Sequence, residues 1–237
     1  MLKKLLIANR GEIASRISRS ALDRNLATVL AHTPEDAALS RRISASQLAQ
    51  LPTGGYTDID GQINLALEHD CDSIHPGYGF LSESADFARA VRAADLKFLG
   101  PRTRTLEIFG DKLRARDLAI SANVSVTPGQ IVRDASALEA FLNRATTGRG
   151  ILKSRAGGGG RGIRAVQLGD DLEDSFARCL GESKQFGGSD GDSGLLVEQE
   201  ITDAQHVEGE KLRLHRSALL RSAPLRFALL RSNLHNP

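Results

Sequence analysis

Along the first hundred residues, short apolar runs alternate with stretches in which apolar positions recur every fourth residue. Residues 4–8 form an apolar run that reads as a buried strand. From Gly11 onward Ile13, Ile17 and Ala21 share one helical face, Asn25 ends that segment, and residues 27–31 supply a second strand. This is a βαβ unit. Helices over residues 59–68 and 84–93 lead into strands at 72–75 and 97–99. Strands separated by helices of roughly 10–15 residues predict a doubly wound parallel sheet, an α/β domain placed at residues 1–105. One long helix is expected over residues 103–122, before Pro128-Gly129 breaks the pattern.

The pattern then changes. Residues 151–168 read as strand, glycine-rich turn and strand, followed by a helix over 171–184, a glycine-rich loop at 187–194 and an apolar strand at 195–198. This predicts a small α+β lobe carrying a glycine flap over residues 106–208. In the last segment ALLRS occurs at 218–222 and again at 228–232, a leucine spacing that suits neither helix nor strand, so residues 209–237 are expected to be a disordered basic tail.

Charge sharpens that division. The net +2 of the 237 residues conceals six cations, Lys211, Arg213, Arg216, Arg221, Arg226 and Arg231, against the single acid Glu210 in residues 209–237; that segment carries +5 and the rest −3. The excess lies in one terminal segment, which argues against a nucleic-acid-binding surface on the folded part. No run of about 18 apolar residues suggests a membrane span. Cys71 and Cys179 form no CxxC pair and no disulfide framework, which suits a reducing compartment; with no addressing segment in view, the cytoplasm is expected.

Few residues suggest chemistry alone. Gly157, Gly158, Gly159, Gly160, Arg161 and Gly162 sit between two predicted strands, where bare backbone lets several N–H groups approach a polyphosphate; a flexible hairpin is the alternative. The run is no P-loop, since no GK[ST] closes it, and it opens no helix. Lys153 and Arg155 share a strand face just before it and would meet phosphate oxygens beneath a flap, or simply stand in solvent. Lys112 lies among Arg102, Arg104 and Arg114, a grouping equally consistent with a solvated helix face. The turn from His75 through Pro76, Gly77, Tyr78 and Gly79 to Phe80 falls at the end of a predicted strand, where open α/β sheets place ligands; the alternative is a structural turn packing its aromatic rings. His206, taken singly, is a lone histidine.

Together these segments carry more. KKLLIANRGEIASRI (3–17), SIHPGYGFLSES (73–84), FLGP (98–101), GDKLRAR (110–116), KSRAGGGGRGIRAV (153–166) and LLVEQEITDAQHVE (195–208) resemble, in order and spacing, the biotin carboxylase component of biotin-dependent carboxylases. The resemblance implies a Rossmann-like N-terminal domain followed by an ATP-grasp domain that uses ATP, Mg²⁺ and bicarbonate to carboxylate biotin by way of carboxyphosphate. It implies that Lys112 and Lys153 are nucleotide and phosphate lysines, that Gly157 to Gly162 form a lid over the phosphates, that Glu198 and Ile201 line the adenine side, and that His206 lies on the ribose side. Ala156 stands where many relatives have glycine.

From Gly209 onward the sequence no longer resembles the family, so the Mg²⁺ carboxylates, the bicarbonate base and the biotin-side arginine have no counterparts. The expectation is an incomplete ATP-grasp domain with no complete catalytic set and no metal site. Its bicarbonate and biotin chemistry would then need a biotin carrier domain and, for any turnover, a full-length carboxylase subunit. The alternative is a non-catalytic nucleotide-binding or carboxylase-interacting fragment. Met1 is the only methionine, so no carrier segment with a lysine between methionines is present, and biotin is expected in trans. A dinucleotide-binding oxidoreductase is disfavoured because the first βα turn reads ANRGEIA and lacks GxGxxG.

Overall fold

Leu5, Leu6 and Ile7 are all buried, as befits the middle strand of a parallel sheet covered on both faces. The computed structural model describes residues 2–154, 162–185, 194–202 and 204, and the chain divides into two units, residues 1–110 and 111–237.

The first unit runs β1 (Lys4–Ile7), α1 (Gly11–Leu22), β2 (Ala27–His32), α2 (Ala37–Ser40), β3 (Gln47–Gln50), α3 (Ile59–Glu68), β4 (Ser73–His75), α4 (Ala85–Ala93), β5 (Lys97–Phe98) and α5 (Thr103–Phe109). The strands form one parallel sheet in the order β3-β2-β1-β4-β5, the doubly wound arrangement that the alternation predicts. Successive residues of β1 serve opposite faces. Leu6 and Ala8 join Phe87, Ala88, Val91 and Leu106 from α4 and α5, while Leu5 and Ile7 meet Ala14 and Ile17 of α1. Two of its helices, α3 and α4, start on side-chain caps: Asp58 accepts from the Gly61 N–H and Ser84 from the Phe87 N–H. Asn25, at φ 52°, turns the chain out of α1 toward β2.

The second unit runs α6 (Lys112–Ser121), β6 (Gly129–Val132), α7 (Ala135–Arg144), β7 (Arg149–Lys153), β8 (Ile163–Gln167), α8 (Leu172–Gln185) and β9 (Leu195–Gln199). Its sheet is antiparallel throughout, in the order β6-β9-β7-β8. Val132, Leu152, Val166, Leu195 and Val197 point to one face and pack with Leu138, Phe141, Leu142 and Cys179 from α7 and α8. The alternate positions point the other way, and there Ile131 and Ile163 are 43% and 41% exposed.

Three expectations need correction. The single helix over 103–122 is two helices: the Gly110 N–H closes α5 on the Leu106 carbonyl, and Asp111, in extended backbone, starts α6 by accepting the Leu113 and Arg114 N–H groups. A Gly-Asp stop-and-start pair overrides the continuous apolar spacing. β3 is an additional strand, unreadable because Gln47 and Gln50 flank its short apolar centre at the sheet edge. β6 and α7 fill a stretch for which the pattern predicted no element. Among the described residues, no helix is long and apolar enough to cross a membrane.

Candidate functional site

The strand order of the first unit reverses between β1 and β4, so the carboxyl ends of these two strands bound the crevice where open α/β sheets place ligands. The HPGYGF turn is there. The fully buried Asn9 fills part of the crevice, its amide donating to the Pro76 carbonyl at 2.7 Å and the Tyr78 carbonyl at 2.8 Å. A side chain on Gly77, at φ 67°, would meet Ile13 Cγ2 at 2.6 Å and Asn9 Nδ2 at 2.7 Å, so glycine is required. The Gly77 N–H donates to His75 Nδ1 at 3.0 Å, and burial lowers the pKa of that imidazole below 6.5; His75 is therefore the neutral tautomer with its proton on Nε2.

The two aromatic residues of the turn differ. Phe80 stacks on Tyr56 with ring centroids 4.8 Å apart, and the Arg10 guanidinium, paired with both Asp36 oxygens at 3.2 Å, lies over both rings. Tyr78 is 63% exposed and donates its hydroxyl to Glu12 at 2.8 Å. Phe80 thus matches the packed-turn reading, whereas Tyr78 stands out into solvent beside the crevice.

The second unit gathers a denser set of charges. Lys153 ends β7 and Glu198 lies on the neighbouring β9, both on the face that α7 and α8 leave open, and Lys153 Nζ donates to Glu198 Oε2 at 2.5 Å. The other oxygen, Oε1, accepts from Arg116 Nη1 at 2.8 Å, and Arg116 Nη2 reaches the Gly129 carbonyl at 3.4 Å. The side chains of Arg116, Glu198 and Lys153 are 13%, 16% and 27% exposed. Lys112 is the first residue of α6; burial, then the like charge of Lys153, lowers its pKa below the usual lysine value. Three cations against Glu198 and the capping Asp111 leave the cluster net positive, as polyphosphate binding requires.

The glycine run joins β7 to β8, so it is the connection of a hairpin as well as the candidate flap. Its base is fixed: the Ser154 N–H donates to the Gly162 carbonyl at 2.7 Å, and the Gly162 N–H donates to Glu182 at 3.0 Å. Glu182 also accepts from Arg164, which with the Gly162 N–H lowers its pKa below the usual carboxylate value. Gly162 has φ 68°, again the left-handed region. Gly157, Gly158, Gly159, Gly160, Arg161, Arg155 and His206 lie outside the described residues, as does the segment from 205 onward. Ile201 follows β9 and is 38% exposed.

Sequence reasoning named Lys153 for the phosphates and Glu198 for the adenine side, the structure joins the two as an ion pair, and two neighbours were missed. Arg116 was indistinguishable from its surroundings: Arg114, two residues earlier, is 64% exposed and pairs with Asp111. Its signal was its place at the end of the GDKLRAR segment, four residues after Lys112. Gly129 is the other. A side chain there would meet the Val197 carbonyl at 2.6 Å and Glu198 Cγ at 2.8 Å, so the absence of one leaves room for the Glu198 carboxylate. Among the described residues, no group of three or more His, Cys, Asp or Glu could hold a metal ion.

Comparison with known proteins places the chain among related folds. Residues 1–106 match the family "Biotin carboxylase, N-terminal domain" and residues 111–220 match "Carbamoyl-phosphate synthase L chain, ATP binding domain". A pyruvate carboxylase of Aspergillus terreus is 40% identical over 220 residues, which is 89% of this chain and 18% of the relative. The biotin carboxylase domain of Hydrogenobacter thermophilus 2-oxoglutarate carboxylase, solved as a dimer with MgADP, ADP and bicarbonate, superposes with a TM-score of 0.77 at 33% identity, covering 86% of this chain and 45% of that one. The biotin carboxylase of Campylobacter jejuni, solved with β-γ-ATP, gives a TM-score of 0.77 at 31% identity, with 86% and 46% coverage. The chain therefore spans less than a fifth of the pyruvate carboxylase and under half of the two solved chains. With its Rossmann-like parallel sheet followed by part of an ATP-grasp domain, the chain belongs to the biotin carboxylase family of biotin-dependent carboxylases.

Proposed function

We propose that the second unit binds the polyphosphate of an adenine nucleotide on the open face of its sheet, without turnover by these 237 residues alone. The observation that carries this reading is the juxtaposition of Lys153, Glu198 and Arg116 at the fixed base of the glycine hairpin. In this reading Lys112 and Lys153 take phosphate oxygens, Gly157 to Gly162 supply backbone N–H groups above them, Glu198 and Ile201 flank the adenine, and His206 meets the ribose. Phosphoryl transfer depends mostly on placing cations and N–H donors against oxygens, and this cluster supplies them. The solved relatives' complexes with MgADP and with β-γ-ATP support the ligand class.

The family reaction, carboxylation of biotin with ATP and bicarbonate, needs Mg²⁺ carboxylates and a bicarbonate base that have no counterparts here. We therefore assign these 237 residues nucleotide binding, with a biotin carrier domain as the partner that the family reaction would require. Its two cysteines are both buried free thiols, which suits a cytoplasmic setting. A site with one wall of its clamp binds weakly: losing a few kcal/mol from a site of about 1 μM gives a dissociation constant near 1 mM. Calorimetry with MgATP on the full chain should show roughly millimolar affinity that falls in Lys153→Ala and in Lys112→Ala. Binding indifferent to both substitutions would reduce it to nonspecific charge, and bicarbonate-dependent phosphate release would overturn the assignment of binding without turnover.

A further inference from the structure

Glu198 has two oxygens and two cations, and the two cations face different demands. Lys153 stands at the end of β7, one residue before the base of the glycine hairpin, and is the more exposed of the two at 27%. Arg116 is only 13% exposed, and its second nitrogen lies on the Gly129 carbonyl of the adjacent strand. If Lys153 turns its ammonium to a phosphate oxygen it must leave Glu198 Oε2. A largely buried carboxylate stripped of its cation carries a heavy desolvation penalty, which would be charged against nucleotide binding. A guanidinium resting on Oε1 removes that penalty, because Arg holds its charge throughout and keeps its planar geometry. The missing side chain at Gly129 leaves the space in which the two groups meet.

We propose that Arg116 is a positioning residue for the nucleotide site, holding Glu198 through Oε1 so that Lys153 can leave Oε2 for a phosphate oxygen without stranding the carboxylate. The inference rests on the nucleotide reading above and adds to it the residue that makes Lys153 available. Arg116 touches no ligand in this scheme; it acts through Glu198.

A double-mutant cycle on the full chain tests it. With MgATP as the probe in calorimetry, Arg116→Ala should weaken binding about tenfold, equivalent to about 1.4 kcal/mol, and Arg116→Lys should weaken it less. In a Glu198→Gln background, Arg116→Ala should change the affinity by less than about twofold, because no carboxylate remains to be held. An equal loss in both backgrounds, or none in either, overturns the proposal. The second readout needs no nucleotide: acylation of the Lys153 amine by an N-hydroxysuccinimide ester, followed by peptide mass spectrometry. Arg116→Ala leaves Lys153 as the only one of the two cations on Glu198, so acylation should slow severalfold, and Arg116→Ala/Glu198→Gln should restore it. Unchanged acylation overturns the sharing of Glu198, whereas absence of MgATP binding by the wild-type chain, with the acylation difference intact, overturns the nucleotide reading instead. Melting curves for each variant identify any that fail to fold, and Arg116→Lys then carries the comparison.

Discussion

The two units close their sheets differently. In the first, every residue of β1 after Lys4 is buried, because helices cover both faces of a parallel sheet. In the second, α7 and α8 cover one face, and the alternate positions of the antiparallel strands carry Ile131, Ile163, Lys153 and Glu198 on the other. A sheet closed twice has only its strand ends left for chemistry, and those of the first unit are occupied by Asn9 and its two carbonyl partners. A sheet closed once keeps part of its second face, although Leu196 there is buried. Charge is collected there, with one acid satisfied by two cations.

Placing a charge on each sheet gives the most severe test of this contrast. Ile7→Lys puts an ammonium into a fully buried position and should cost more than about 4 kcal/mol, enough to abolish cooperative unfolding of the first unit. Ile131→Lys, at a position 43% exposed, should stay within about 0.5 kcal/mol of wild type in urea titrations. Comparable losses for the two would show that the second sheet is not open.

Two glycines sharpen the comparison at a smaller scale. Gly129→Ala sets a methyl group 2.6 Å from a backbone carbonyl that cannot swing aside, so it should cost about 1–3 kcal/mol and alter the acylation rate of Lys153. Gly79→Ala in the first unit meets nothing within 4 Å but must adopt φ 72°, and should cost about 1 kcal/mol with Lys153 unaffected. Denaturation midpoints together with peptide mass spectrometry separate the two.

Lys112→Met should move stability the other way. Burial and the charge of Lys153 both disfavour the Lys112 ammonium, so its folded-state pKa lies below the unfolded value and the charge is a burden at neutral pH. Its removal should raise the melting temperature by about 1 °C, the effect being small because the amine keeps some solvent, while protection by MgATP is lost. A fall in melting temperature would mean that Lys112 serves the fold. The smallest effect concerns His75 in the first unit. Its folded pKa is depressed below 6.5, so its contribution is complete above that pH and is lost as pH falls through the folded value. His75→Asn keeps an acceptor for the Gly77 N–H without the titration, and should flatten the decline in stability between about pH 7 and pH 5. An unchanged slope would place the acid sensitivity elsewhere.

What could be read beforehand follows the same division. α3 was legible as residues 59–68 because its apolar positions recur on one face between Asp58 and the turn at Asp70. β3 was not, since an edge strand needs little apolar sequence, and the apparent helix 103–122 concealed a Gly-Asp break within continuous apolar spacing. At the site, Lys153 and Glu198 were found through motifs rather than periodicity. Arg116 was not found, because burial of a charge depends on which strand passes beside it, here β6 and β9, some 13 and 82 positions further along the chain.

The strand order of the first unit also has a consequence in time. β1 is the central strand, with β2 on one edge and β4 on the other, and β4 reaches it only at residues 73–75. During synthesis at about 5–20 residues per second, the edge of β1 that awaits β4 stays unpaired for roughly 3–14 s after β1 is made. Over that interval Leu5, Leu6 and Ile7 present an apolar strand edge to whatever is nearby, so β1 is open to misassociation for longer than any other strand of its sheet.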